Sequence, residues 1–293
     1  MKVRRALLPA GWYPRTREEI VRFLAAARED GGAPAARQAA AAAAAPHAGW
    51  YYAGALAARA AAVLAEGAAP DTVVVLGGHL PAGVTPLFYL EDAVETPLGV
   101  MNIDTEMRDA LAGTIGGAAD RFADNTVEVL LPLVHHFFPG SRLLALRVPA
   151  DAAAFGRGKA LYAAAAALGR RIKVLASTDL THYGFNYGFS PRGSGRAALE
   201  WMREVNDRRF IDAVVAGDRE AVLRRSGEER SACSAGAVLA AMGYAAADAA
   251  GGADTDDAPP AVLLAYGTSA DRAENGEVPD SFVGYGAFAW FRG

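Results

Sequence analysis

Two short apolar runs constrain the fold more than any other feature of this chain. Thr72-Val73-Val74-Val75-Leu76-Gly77 is β-branched and closed by glycines. Ile172 to Ser177 repeats the pattern one hundred residues later. Continuous runs of this length, without polar alternation, mark strands covered on both faces at the centre of a parallel sheet. Between them the pattern changes to helical spacing. Glu18 to Glu29, Ala53 to Glu66, Asp104 to Ala112, Val127 to Phe138 and Phe155 to Leu168 read as helices, and Arg142 to Val148 as a further strand. Strands alternating with helices predict an α/β fold, one domain over 1–293 with a central, mostly parallel sheet flanked by helices.

Some segments are less regular. The alanine run 39–45 is apolar in every position, and the Pro46 that ends it favours a strand. Residues 30–38 read as a Gly/Pro loop. Leu87 to Leu90 and Ala93 to Thr96 read as a short strand with an extension, and residues 185–198 as a Gly/Ser/Arg loop. Helices are expected over Ala197 to Ala216, Arg219 to Arg225 and Ala235 to Met242. Residues 244–258 are low in complexity and read as an exposed loop. Ala261 to Tyr266 and Phe282 to Phe291 are the closing strands.

Composition narrows the function classes. The chain has 293 residues, 52% of them hydrophobic, and a formal net charge of −4. No basic stripe offers a footprint for nucleic acid. Neither the lead-in after Met1 nor the alanine run is long enough for a membrane span or a signal-peptide core. A single cysteine excludes an internal disulfide and fits a reducing cytoplasm, which is the expected location.

The five histidines carry the chemistry. Three lie in glycine-flanked turns after apolar runs: Pro46-His47-Ala48-Gly49, Gly77-Gly78-His79-Leu80 and Asp179-Leu180-Thr181-His182-Tyr183-Gly184. Ligands in parallel sheets bind beyond the carboxyl ends of strands, so His79 and the Asp179/His182 motif are expected at one sheet edge. Cys233 sits in another small-residue turn, Ser231-Ala232-Cys233-Ser234-Ala235-Gly236. Two imidazoles and one thiolate form a first shell for a transition metal with an open position. Each residue has a plainer reading as well. A histidine at a strand end can bond a backbone carbonyl, and a free cysteine can pack as a small hydrophobe. Asp179 and His182 lie three apart, which on a helical turn puts them on one face. Asp179 is then placed to orient the imidazole and His182 to act as acid or base. His135 and His136 are adjacent and cannot both face one metal. Trp50, Tyr51 and Tyr52 can wall a cleft or fill the core.

In order along the chain, these segments resemble the Memo family, whose bacterial and archaeal members are called AmmeMemoRadiSam system protein B. The resemblance rests on Pro46-His47-Ala48-Gly49-Trp50-Tyr51-Tyr52-Ala53-Gly54 and Val75-Leu76-Gly77-Gly78-His79. It extends through Thr96-Pro97-Leu98-Gly99 and Asp124-Asn125-Thr126-Val127-Glu128-Val129-Leu130-Leu131-Pro132 to Ser177-Thr178-Asp179-Leu180-Thr181-His182-Tyr183-Gly184, the Cys233 turn and Ser281-Phe282-Val283-Gly284-Tyr285. The resemblance implies a fold similar to the class III extradiol dioxygenases, non-haem Fe(II) enzymes that open catechol rings. It implies His47, His79 and Cys233 as metal ligands, with the cysteine standing where the dioxygenases have a carboxylate. It implies His182 as the acid/base residue, with Asp179 beside it. Fe(II) is the expected cofactor, with copper and zinc as alternatives. The alternative to a ring-cleaving oxidoreductase is a non-enzymatic iron- or copper-binding protein with a redox role, or a scaffold that docks a peptide. The expected ligand is a small aromatic molecule or a peptide in the cleft. The family name implies association with an AMMECR1-like protein and a radical SAM protein. One departure stands out: where the family usually has Glu-His-Ser, this chain has Asp124-Asn125-Thr126, and a cleft histidine is missing.

Overall fold

The computed structural model describes residues 1–29, 39–273 and 277–292. The loop expected over 30–38 lies outside the described residues. A two-residue strand β1 (Val3–Arg4) precedes helix α1 (Arg17–Glu29). Then come β2 (Ala40–Ala45), α2 (Trp50–Ala65) and β3 (Thr72–Gly77). Short strands β4 (Leu87–Phe88), β5 (Ala93–Thr96) and β6 (Gly99–Asn102) lead to α3 (Thr105–Ile115) and β7 (Ala118–Ala119). Helices α4 (Asn125–Glu128) and α5 (Leu131–Phe137) come next. They are followed by β8 (Arg142–Arg147), α6 (Ala154–Ala167), β9 (Ile172–Ser177) and β10 (His182–Gly184). Helix α7 (Arg196–Trp201) runs through a π-helical turn (Met202–Asp207) into α8 (Arg208–Ala216). The chain ends with α9 (Arg219–Glu228), α10 (Ala235–Ala249), β11 (Val262–Thr268) and β12 (Ser281–Phe291).

The main sheet runs β10-β12-β2-β9-β3-β8-β4-β7, with β11 on the other flank of β12. Its centre, β2-β9-β3-β8, is parallel throughout. Antiparallel pairs flank it, where β12 meets β2, β10 and β11 and where β4 meets β8, and the outermost pair β4–β7 is parallel again. The sheet is therefore mixed, with the parallel strands in the middle. Every residue of β2, β3 and β9 is buried. Helices α1, α2 and α5 cover one face and α3, α6 and α10 the other, each with its own apolar cluster. The alanine strand makes sense in this position. Methyl groups on both faces let α2 and α10 approach the same strand closely, while β9 and β12 supply the ladder.

Four readings change. The Ala93 to Thr96 segment is no extension of β4: it pairs with β1 and β6 in a separate three-stranded sheet. The helix expected over Val127 to Phe138 is two helices. Pro132, near the start of α5, has no N–H to continue α4. The exposed loop expected over 244–258 is helical up to Ala249, and Tyr244 to Ala247 are buried against the core. The Asp179 to His182 stretch is not helical. Leu180 N–H donates to the Gly284 carbonyl, Gly284 N–H donates to Thr181, and His182 opens β10. Among the described residues, no helix is long and apolar enough to cross a membrane.

Candidate metal centre

Parallel strands put their carboxyl ends on one edge, and the site is assembled there. His47 stands two residues past β2, His79 two past β3 and Asp179 two past β9. Cys233 arrives from the other direction, immediately before the Ser234 cap of α10. Gly78 permits that meeting: a Cβ there would overlap the Ser234 side chain and stand 2.9 Å from its Cα.

One ligand atom from each of His47, His79 and Cys233 lies within 4.8 Å of the others. His47 Nε2 is 3.2 Å from Cys233 Sγ, and the two imidazole rings meet edge to face at 4.9 Å. Around a tetrahedral ion with ordinary metal–nitrogen and metal–sulfur bonds, that nitrogen–sulfur separation would be ~3.6 Å. The observed separation is a few tenths of an ångström shorter, within reach of small side-chain rotations. Each histidine is also oriented from behind. His47 Nδ1 bonds Ser177 Oγ at 2.7 Å, and His79 Nδ1 bonds Asp124 Oδ2 at 3.1 Å. Both leave Nε2 for the centre, the arrangement common among metal-binding histidines.

Charge reinforces the geometry. Burial alone would raise the Cys233 thiol, but the charge of His47 and hydrogen bonds from both imidazoles hold it well below the usual thiol range. Burial would lower His47, and Asp179 and Cys233 together raise it instead. Burial would also lower His79, and its bond to Asp124, with help from Cys233, pushes it up to about 10. The three groups thus favour one another's charged forms, the thiolate on one side and protonated imidazole on the other. A soft anionic sulfur and two nitrogens suit iron, copper or zinc, and not magnesium or calcium.

Asp179 sits between two histidines. Its Oδ1 accepts His47 N–H at 2.8 Å, and its Oδ2 lies 3.8 Å from His47 Nε2 and 3.7 Å from His182 Nε2. The latter two separations exceed a direct hydrogen bond, so the coupling is coulombic. Burial opposes the charge of Asp179, yet His47 and His182 keep it below the ordinary carboxylate range. The two residues approach one another across an extended segment rather than along a helical face.

The other candidates separate cleanly. Trp50 is core, packed on Phe23 with Nε1–H donating to Val129, whereas Tyr51 and Tyr52 are exposed. Tyr183 is buried and stacked on Phe282. His135 pairs with Thr96 Oγ1 and His136 packs on Phe137, both on α5 and neither in the cluster. Sequence reasoning missed Ser177, Asp124, Asn125 as a contact residue, Tyr187 and the pair Asn206/Asp207. Tyr187 stacks on His182 at 4.9 Å. Asn206 Nδ2 donates to Thr181 Oγ1, and Asp207 Oδ1 accepts Thr181 N–H. Both project from the π-helical turn, a distortion frequent at functional sites.

The family model described as Memo-like protein matches residues 4–289. A MEMO1 family protein of Methanopyrus kandleri is 31% identical over 238 residues, covering 78% of this chain and 76% of its own. One of Thermococcus onnurineus is 28% identical over 239 residues, covering 77% and 78%. A solved structure, an uncharacterized protein from Escherichia coli K12, is 16% identical with a TM-score of 0.43, covering 83% of this chain and 98% of that one. With a family model matched over nearly its whole length, the chain belongs to the Memo-like protein family.

Proposed function

We propose that the protein holds one Fe(II) ion on His47, His79 and Cys233 and uses it in oxygen-dependent opening of a small aromatic diol. The observation that carries the metal is the convergence of three donor atoms within 4.8 Å, with each imidazole fixed from behind through Nδ1. When bound, the ion would supply the redox chemistry that O2 and an electron-rich ring require.

The chain's own residues supply the rest. His182 Nε2 faces Asp179 and is the group to take a proton from a ring hydroxyl and return it. Asp179 stabilises the imidazolium that forms in between, because its carboxylate is already held ionised. Tyr187 stacks on His182 and keeps its ring from turning away. Tyr52, exposed near the same edge, and Tyr187 give a flat aromatic ring something to lie against.

A second reading rests on the thiolate. The resemblance implies that Cys233 takes the place of the dioxygenases' carboxylate, and a thiolate changes the charge and redox behaviour of the bound ion. The same residues then form a non-enzymatic iron- or copper-binding centre. Either reading sets the protein in a reducing compartment, where a lone thiolate stays available as a ligand.

The test has two stages. Anaerobic Fe(II) titration by calorimetry should show one-to-one binding that weakens at least a hundredfold in Cys233→Ala. Oxygen uptake by the iron-loaded protein over a panel of catechols then separates the readings. Sustained uptake with ring-opened product supports the enzyme, and tight binding without turnover supports the binding protein. Absence of binding in the wild type would sink both.

A further inference from the structure

We propose that the Asp124-Asn125-Thr126 turn is a clamp that fixes the two histidines relative to one another and thereby sets metal affinity, with Arg147 and Asp120 locking it in place. The inference rests on the metal reading above. It assigns each of the three residues a separate hold.

Asp124 holds the ring of one histidine. Its Oδ2 bonds His79 Nδ1 at 3.1 Å, and its Oδ1 accepts Thr126 N–H at 2.9 Å and the Thr126 hydroxyl. Asn125 holds the backbone of the other histidine: Nδ2 donates to the His47 carbonyl at 3.0 Å. Thr126 holds the backbone ahead of His79, its Oγ1 accepting Gly78 N–H at 3.1 Å. Three consecutive side chains thus tie the loop after β2 to the loop after β3.

The clamp is anchored in the core. Arg147, 5% exposed at the end of β8, contacts Asp124 Oδ2 at 2.9 Å through Nη1. Its Nε donates to Asp120 Oδ2, also at 2.9 Å, and Asp120 is 3% exposed. Asp120 fixes the direction of the guanidinium fork, so Arg147 Nη1 stays aimed at Asp124, and a swing of Asp124 would break that charged contact.

The two histidines depend on the clamp unequally. His47 is fully buried and has Ser177 behind it. His79 keeps 32% of its side chain exposed and adopts φ of +57°, a left-handed conformation uncommon outside glycine. Among the described residues, Asp124 is the one side chain bonded to its Nδ1, the nitrogen turned away from the centre. Free of that bond, the ring would sample several rotamers and aim Nε2 at the centre only part of the time. Loss of such an orienting partner typically costs ten- to a hundredfold in metal affinity.

Asp124 also caps α4, so the test must separate capping from clamping. Asn is as good a cap as Asp, and Asp124→Asn keeps the Oδ1 bond to Thr126 N–H while removing the charge that His79 and Arg147 share. Asn125→Ala removes only the hold on His47. Each variant is titrated with Co(II), reading the thiolate-to-cobalt absorption band, and melted without metal. The clamp predicts that Asp124→Asn retains the band at saturating cobalt but binds about ten- to a hundredfold more weakly. Asn125→Ala should bind several-fold more weakly, with metal-free melting close to wild type. Wild-type affinity in both variants overturns the clamp. If Asp124→Asn does not fold, Asn125→Ala decides alone in the same way. A wild-type protein that takes up no cobalt instead overturns the metal reading on which the clamp rests.

Discussion

Asp207 lies under the proposed proton-moving residue and shows what a single buried carboxylate can do. It is fully buried, accepts Thr181 N–H at 3.0 Å and the Tyr266 hydroxyl at 2.7 Å, and has no Lys or Arg within ion-pair distance among the described residues. Burial raises its pKa from 3.8 to about 6, against the pull of those two donors. A carboxyl raised on folding stabilises fully below its unfolded value and loses that contribution as pH rises through the folded one. The window runs from about pH 4 to about pH 6, and ionisation costs up to roughly 3 kcal/mol above it. Asp207→Asn removes the titration. Its stability relative to wild type, from urea midpoints, should rise across that window and be flat above it. A constant difference from about pH 4 to about pH 7 would show that Asp207 does not titrate there. The residues of this region also show why the site was half legible. His47, His79, Asp179, His182 and Cys233 stand in turns that a sequence displays. Asp207, Asp124 and Asn125 act on partners 26 to 78 positions away, and no local pattern announces such a contact. Asn125 was visible only as an absent imidazole.

Helix α10 carries the same lesson at the next scale. Its sequence is mostly alanine, and Asp248 is its one charged residue, so nothing marks where the helix ends, and its last turns read as a loop. The reason for that composition is the partner. Helices α6 and α10 cross so closely that a Cβ on Gly158 would overlap the Ala240 carbonyl, and one on Gly243 would overlap that of Phe155. Helix propensity favours alanine over glycine by about 1 kcal/mol. Here packing wins. Gly243→Ala should destabilise by about 2 to 3 kcal/mol, since neither backbone can yield without separating the helices. Gly156, on the same helix as Gly158 but with open space around its Cβ position, is the control. Gly156→Ala should be neutral or stabilising in the same thermal melts. If both substitutions cost alike, close helix packing is not the cause. The parallel strands were the readily legible elements, because β-branched runs such as Thr72–Gly77 need no partner to declare themselves. The π-helical turn left no sequence signal, since Met202–Asp207 has ordinary helix-forming composition and the partners of Asn206 and Asp207 lie about 25 positions away.

For the molecule as a whole, the site is a point where distant parts of the chain are tied together. His47 follows β2, His79 follows β3, and Cys233 lies 154 positions further on, at the head of α10. In the unfolded chain these three donors are far apart, and gathering them costs loop-closure entropy. In the folded protein they are already assembled, so a metal binds the native state and scarcely the unfolded one. Metal at a hundredfold excess over Kd therefore adds about 2.7 kcal/mol to stability. For a chain of this size that is an upward shift in Tm of about 5 °C. The shift should vanish with a chelator and be largely absent in Cys233→Ala, while Ser177→Ala, which removes only the support behind His47, should retain part of it. The order of these responses matters more than their size. A shift that survives Cys233→Ala would place the metal elsewhere on the molecule. A shift lost equally in Cys233→Ala and Ser177→Ala would mean that the hydroxyl behind His47 is as necessary as the thiolate itself. The sheet edge predicts neither. It predicts a graded loss, because the thiolate supplies a donor atom and the serine only its partner's direction.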